Sequence, residues 1–352
     1  MAAMIRKDAK KILVRGTNWV GDALMTLPAL VALRRNFPSA ELHVLAKPWV
    51  APVYGENPAV DRVIMLDREA KHRGVLGLWR ISQELRRESY DLAVLFQNAF
   101  QAALIVYLAG IPQRLGYNTD ARGFLLNRAI RLQPDDKQVH ETHYYLRILE
   151  RTGLDAPYSP PIFQPSDQAL RNARNTLEGL RLIGSFLLGI APGAAFGTAK
   201  QWPAEKFAQA ADVILSKTGG SALLFGSPKE AEVTARVKAA MTQPAVDLAG
   251  QTDLAGAAAL IQRCQMFLTN DSGLMHLAAA VDVPLVAIFG STNPTTTSPV
   301  SGKARLIRHE VDCSPCLKPH CDRDVHQCMD LVTPDEVVEA ALDLLKIKDN
   351  HS

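Results

Sequence analysis

The sequence predicts an α/β protein made of two domains, each built on a parallel sheet with helices on both faces. Three observations carry this expectation. Short β-rich apolar runs alternate with longer helical patterns along the whole chain. A proline-dense segment interrupts that alternation before its midpoint. The length of 352 residues exceeds one typical domain.

Residues 11–15 (KILVR) read as a first buried strand. Residues 24–35 then have helical spacing, with Leu24, Leu27, Leu30, Val31 and Leu33 on one broad face. Strand-like runs follow at 41–45, 63–66 and 91–96, with a helix near 75–87. This βαβ order implies parallel pairing. Residues 155–165 hold four prolines and can continue neither a helix nor an inner strand, so the inter-domain linker is expected there. The expected domains are 1–160 and 161–352. A second series has strands at 185–191, 221–225, 265–269 and 285–289, with helices near 203–217, 228–240, 254–263 and 273–281. Thr333-Pro-Asp-Glu336 is a capping box with proline at the first helical position. A last helix should run from it to about Lys346 and could pack back on the first domain.

Hydrophobic residues at 47% and charged residues at 21% suit a soluble globular chain. No run approaches the ~18 apolar residues that span a bilayer, and the early ILV run is too short for a signal segment. A cytoplasmic protein is expected, with the membrane left open as a working surface. Charge is uneven: residues 1–180 carry 24 Lys+Arg against 18 Asp+Glu, and the remainder 15 against 18. The basic residues fit either solvated helix faces or a face that meets an anionic partner. Nothing resembles an RNA-binding motif or a DNA-reading helix, so nucleic acid is not an expected partner.

Three loops could carry chemistry. Arg15-Gly-Thr-Asn-Trp-Val-Gly-Asp22 joins the first strand to a helix, at the carboxyl edge where open parallel sheets bind ligands. Gly16 and Gly21 have P-loop spacing, but Asp22-Ala23 stands where Lys-Ser/Thr belongs. No G-x-G-x-x-G occurs, which argues against an oxidoreductase. Asp22 either delivers a carboxylate to a cleft or caps the helix. The second loop, 191–203 (APGAAFGTAKQWP), offers backbone N–H groups and Lys200 as an anion site, or is a flexible surface loop. In the third, 269–280 (TNDSGLMHLAAA), Asp271 or Ser272 could cap a helix, with Gly273 at its start and His276 one turn inside. The hydroxyl-rich run 290–299 could border the same place.

Four of the five cysteines, Cys313, Cys316, Cys321 and Cys328, fall within sixteen residues. They could hold a structural zinc, with His320 or His326 as substitute ligands, or stay as reduced thiols.

Taken together, GTNWVGDALMTLPAL, APGAAFGTAKQWP and TNDSGLMHLAAA resemble the ADP-heptose:lipopolysaccharide heptosyltransferases of glycosyltransferase family 9, nearest to the heptosyltransferase II branch. The resemblance runs from Lys11 to the last helix. It implies a GT-B fold, two Rossmann-like domains with parallel sheets facing across a cleft. It also implies inverting transfer of heptose from ADP-heptose to a heptosyl-Kdo2-lipid A inner core at the inner membrane surface, with no catalytic metal and no required cofactor. By position, Asp22 matches the family's proposed base, Lys200 its phosphate-binding lysine, and Asp271 and His276 its donor-site pattern. Glu230 matches a carboxylate that holds the ribose. Gly193, Ser272 and Gly273 would border the donor. Asn18, Trp19, Gln97, Asn98 and Arg114 are expected to meet the acceptor. A related enzyme with another acceptor, such as heptosyltransferase I, or a non-catalytic nucleotide-sugar-binding protein are the alternatives.

Overall fold

The computed structural model describes residues 5–349. The chain forms two compact units that part between Ile162 and Phe163, inside the proline-dense segment.

In the first unit the order is β1 (Lys11–Arg15), α1 (Val20–Met25), α2 (Leu27–Asn36), β2 (Glu41–Ala46), α3 (Ala51–Gly55), β3 (Arg62–Met65), α4 (Gly74–Arg87), β4 (Leu92–Leu95), α5 (Phe100–Leu108), β5 (Gln113–Tyr117), β6 (Arg128–Ile130) and α6 (Glu141–Glu150). The six strands are parallel in the order β3-β2-β1-β4-β5-β6. The chain starts at the centre, winds outward one way and returns to wind the other way. The reversal lies between β1 and β4, where Val14 pairs with both Val44 and Val94. β1 and β4 are apolar throughout their middles because both faces of this sheet are covered. Leu78, Ile81 and Leu85 of α4 repeat at helical spacing and bury one face, in the same core as Ala102, Ala103 and Val106 of α5. The single helix expected over 24–35 is two. Pro28 cannot donate to the preceding turn, so α1 ends at Met25 and α2 restarts with proline in its first turn.

The second unit repeats the plan: α7 (Asp167–Gly179), β7 (Leu187–Ala191), α8 (Ala204–Thr218), β8 (Ser221–Leu224), α9 (Ala231–Ala240), β9 (Ala245–Asp247), α10 (Leu254–Ile261), β10 (Met266–Asn270), α11 (Gly273–Ala280), β11 (Leu285–Ile288), α12 (Pro294–Thr297), β12 (Ala304–Ile307), α13 (Gln327–Asp330) and α14 (Pro334–Asp349). Its parallel order is β12-β11-β10-β7-β8-β9, so the reversal lies between β7 and β10. The expected capping box is present: Glu336 Oε2 accepts from Thr333 N and Oγ1, each at 2.8 Å. Val337, Ala341 and Leu344 of α14 share a core with Phe207, Ala208 and Ala211 of α8.

Candidate active site

In each sheet most of the expected chemical residues fall at the reversal point, where two loops leave neighbouring strands in opposite directions and open a crevice. In the first unit these loops follow β1 and β4. The β1 loop is pinned from below. Gly16 lies on the Tyr54 ring, and a β-carbon there would stand 2.7 Å from three ring and hydroxyl atoms. The Tyr54 hydroxyl accepts from Thr17 N at 3.0 Å. Arg15, fully buried, donates to Gly16 O and, at 2.8 Å, to Asn18 Oδ1. Burial lowers its pKa to about 10, still far above neutrality. Trp49 Nε1 donates to Asn18 O at 2.9 Å. This frame leaves Trp19 exposed and Asp22 half-buried in the first turn of α1.

The β4 loop is fixed by Arg122, whose side chain is fully buried. It donates to Gln97 O, to Asn98 Oδ1 at 2.7 Å and to Tyr117 O at 3.0 Å. Asn98 in turn donates to Tyr144 Oη. Gln97 and Asn98 are thus held beside the β1 loop, whereas Arg114 is not. It sits near the amino end of β5, the opposite edge of the sheet. Its guanidinium is engaged by Leu125 O at 2.7 Å and Ile111 O at 2.6 Å. It braces the β5–β6 corner and is withdrawn from the acceptor set.

A residue not foreseen is Glu141, in the first turn of α6. Burial, and then the charge of Asp22, push its pKa up to about 7. The same two carboxylates, after burial, raise the pKa of the enclosed Tyr145. Asp22 therefore has a neighbour whose charge changes near neutral pH.

In the second unit the β10 end delivers Asn270 and Asp271, both buried. Asn270 ties this strand to the loop after β7. Its Nδ2 donates to Pro192 O at 2.7 Å, and its Oδ1 accepts from Trp202 N at 3.0 Å. Trp202, itself buried, anchors that loop by donating from Nε1 to Val332 O at 3.1 Å. The loop so held brings Lys200 Nζ to 2.7 Å from Asp271 Oδ2, which also accepts from Thr292 Oγ1 at 2.6 Å. The lysine and aspartate side chains are only 14% and 4% exposed, so this is a well-enclosed ion pair. An ammonium has three donors; besides Asp271, this one faces the Phe196 ring, 5.2 Å from its centroid. Ser272 caps α11, accepting from Met275 N at 3.4 Å; Gly273 opens the helix, and His276 is buried one turn in.

Glu230 reaches the same edge from the β8 loop. Its Oε2 accepts from Ser227 N at 2.8 Å and Ser227 Oγ at 2.7 Å, while its chain lies over Gly193. Glycine lets Glu230 lie there: a β-carbon at 193 would stand 2.5 Å from Glu230 Cδ and displace that side chain. The sequence loops thus converge as a cation, two carboxylates, hydroxyls and free backbone at one sheet edge, a set suited to a phosphorylated ribose-bearing ligand.

A model of glycosyltransferase family 9 (heptosyltransferase) matches residues 78–326. Lipopolysaccharide heptosyltransferase 2 of Salmonella typhimurium is 34% identical, over 95% of this chain and 98% of that protein. The chain belongs to glycosyltransferase family 9. The solved structure of Escherichia coli ADP-heptose lps heptosyltransferase II superposes with a TM-score of 0.82 at 32% identity, covering 96% of this chain and 99% of that one. A family 9 glycosyl transferase from Veillonella parvula gives a TM-score of 0.88 at 24% identity, covering 98% and 99%, a likeness of fold. The resemblance read from the three loops is borne out at the level of the family, and the fold is of the GT-B type with two six-stranded parallel sheets.

In this family 9 enzyme the cysteine-rich segment is a brace. Ala199 N donates to Pro319 O at 3.0 Å, Thr198 Oγ1 meets His320 Nδ1 at 3.1 Å, and His326 Nε2 meets Ala199 O at 3.1 Å. Leu317 N donates to Ser291 O at 2.8 Å. The segment therefore supports both the Lys200 loop and the Thr292 loop. Cys313, Cys316, Cys321 and Cys328 line one cavity of about 190 Å³. Among the described residues, though, no group of three or more His, Cys, Asp or Glu is placed to hold a metal ion. Cys328 lies in the core beside Met329 and Cys321 is exposed, and burial, with the neighbouring Cys313, Cys316 and Cys321, pushes the Cys328 thiol up to about 11.

Proposed function

We propose that this glycosyltransferase transfers L-glycero-D-manno-heptose from ADP-heptose to the heptose already present on Kdo2-lipid A, the heptosyltransferase II reaction, with inversion at the anomeric carbon. The observation that carries the reading is the enclosed Lys200–Asp271–Thr292 group at the reversal point of the second sheet. Its likeness in sequence to proteins named heptosyltransferase 2 supports the choice of sugar and acceptor.

The second unit takes the donor. Asp271 orients Lys200 so that its remaining donors meet the pyrophosphate, with backbone N–H groups near Gly193 and Gly273 beside it. As the glycosidic bond breaks, ADP gains negative charge, and Lys200 stabilises it without needing a cofactor. Glu230 holds the ribose, and Ser272 and His276 shape the rest of the pocket. The first unit takes the acceptor through Asn18, Trp19, Gln97 and Asn98. Asp22 removes the proton of the attacking hydroxyl as the new bond forms. Glu141 sets the local charge around Asp22 near neutral pH. The enzyme works in the cytoplasm, at the inner face of the inner membrane. No helix among the described residues is long and apolar enough to cross a membrane, and the substrate brings the bilayer to the enzyme.

The test is an acceptor panel. Purified enzyme and ADP-heptose are mixed with Kdo2-lipid A bearing no, one or two heptoses, and products are read by mass spectrometry. Addition of one heptose to the mono-heptosyl acceptor alone is expected. Preference for the bare or the di-heptosyl acceptor would overturn the assignment of acceptor, and donor binding with no transfer to any would overturn the enzyme reading.

A further inference from the structure

The first unit keeps large apolar side chains in water; Tyr107, Tyr158 and Ile162 lie elsewhere, but the rest gather in one place. Trp19 follows β1, Trp49 follows β2, Met65 ends β3, Val75, Leu76 and Trp79 lie in the first turns of α4, Phe100 starts α5, and Phe124 follows β5. Every one of these places is at the carboxyl edge of the sheet, because each helix starts where its strand ends. Val75, Leu76 and Phe124 are 85%, 79% and 75% exposed. Exposure on that scale at one edge is unusual for a surface that meets only water.

α4 is built to project this group. Its inward face is Leu78, Ile81 and Leu85. Its outward face begins with Val75, Leu76 and Trp79 and continues with Arg80, Arg86 and Arg87. The loop before it is firmly made. Asp67 Oδ1 accepts from Glu69 N at 3.1 Å and Ala70 N at 2.9 Å, and Arg68 donates to His72 O at 2.8 Å and Gly74 O at 3.1 Å. Gly77 lies directly on the His72 backbone, where no β-carbon fits. The apolar tip is therefore held out on a rigid stem that carries the exposed Arg73 and Arg80, while Lys71 is paired with Glu84 at 2.9 Å and Asp67 and Glu69 offset part of the positive charge. Phe100 and Phe124 touch, with ring centroids 6.1 Å apart, at the same end of the neighbouring helix α5.

We propose that this edge docks on an anionic lipid bilayer, with Val75, Leu76 and Trp79 entering the headgroup region and Arg73 and Arg80 meeting lipid phosphates. An apolar tip with a tryptophan, backed by basic residues, fits an anionic interface rather than an uncharged apolar partner. The proposal rests on the proposed function in one respect: a lipid-borne acceptor is what brings the edge carrying Asp22 against a membrane. The sugar would then rise from the bilayer toward the β1 loop without leaving its lipid.

The experiment is flotation of the full chain with vesicles of phosphatidylethanolamine and phosphatidylglycerol (3:1) or of phosphatidylcholine alone. The wild type is expected to bind the anionic vesicles at least about ten-fold more tightly. The triple variant V75S/L76S/W79S should lose about ten-fold or more of that binding. R73Q/R80Q should lose about five-fold per charge and weaken the salt dependence. Both variants should keep wild-type transfer to detergent-dispersed acceptor, which also shows that they fold. Equal vesicle binding by wild type and triple variant overturns the proposal, as does a triple variant whose only change is loss of self-association or of a bound protein partner. Vesicle binding without heptose transfer in detergent leaves the docking surface standing and removes the proposed function instead.

Discussion

Gly193 and Glu230 make a contact whose removal can be worked out in advance. Gly193→Ala places a methyl group 2.5 Å from Glu230 Cδ and 2.8 Å from Cγ, inside any real carbon contact. Gly193 lies two residues beyond the end of β7, and the atoms its β-carbon meets belong to the flexible Glu230 side chain, which swings out to make room. Doing so breaks its two bonds to Ser227, at 2.8 and 2.7 Å. Losing a capping box of this kind costs about 1 kcal/mol of stability. Losing a charge-assisted contact to the ribose costs about 1.5–3 kcal/mol of binding, a rise in the ADP-heptose dissociation constant of about 10- to 150-fold. Turnover at saturating donor should change much less, because Glu230 does not face the reacting carbon in this account. Isothermal titration with ADP and ADP-heptose measures the effect. Glu230→Ala should reproduce it, and adding Gly193→Ala to Glu230→Ala should cost nothing further, since the space is then open. Full additivity of the two changes, or unchanged affinity in Gly193→Ala, would refute the reasoning.

Other perturbations separate the remaining parts. Lys200→Ala should weaken ADP binding about 10- to 100-fold and lower stability by about 3 kcal/mol, because it strands Asp271 in a buried place; adding Asp271→Asn should restore melting temperature but not binding, and recovery of both would deny the phosphate contact. Glu141 has a folded pKa of about 7 against 4.5 unfolded, so the fold binds its proton more tightly. Its stabilising contribution is full below about pH 4.5 and is lost as pH rises through 7, a swing on the order of 3 kcal/mol. The wild type minus Glu141→Gln difference in unfolding free energy should fall over this window. The subtraction cancels the opposing trend of the buried His43 and His72, whose pKa values burial lowers. Parallel curves would remove Glu141 from its place. Arg122→Ala should cost about 3–5 kcal/mol, since it frees Gln97 and Asn98 together and empties a buried site; a loss under 1 kcal/mol by urea unfolding would show that the loop holds itself.

Much of this was legible in the sequence because parallel sheets are covered on both faces. Central strands such as β1, β4, β7 and β10 must be apolar along their length, and they read plainly. Of the edge strands, β3 was legible as the run at 63–66 and the others were not. β9 and β12 are half-exposed, and their residues, Ala245–Asp247 and Ala304–Ile307, carry no run that separates them from loops. β5 holds Gln113 and Arg114 at its start, which break the apolar run that marks an inner strand. The loops after β1, β7 and β10 stood out because glycine, a polar cluster and a helix start coincide there. Arg114 was placed with the acceptor residues because charge is visible in a sequence and the direction of a strand is not. Glu141 and Asn270 gave no signal. A glutamate in the first turn of a helix is ordinary, and only burial in the fold, with Asp22 near it, raises the pKa of this one. Asn270 acts through bonds to residues 68 and 78 positions away, which no local pattern reports.

The account depends most on Asp22 acting on the acceptor while the second unit alone holds the nucleotide. Single-turnover transfer by Asp22→Asn, with enzyme in excess over ADP-heptose and mono-heptosyl acceptor saturating, tests this most directly. Turnover should fall on the order of 10²–10⁴-fold while the dissociation constant for ADP-heptose stays within about two-fold. Transfer at the wild-type rate, or a loss explained wholly by weaker donor binding, would contradict it.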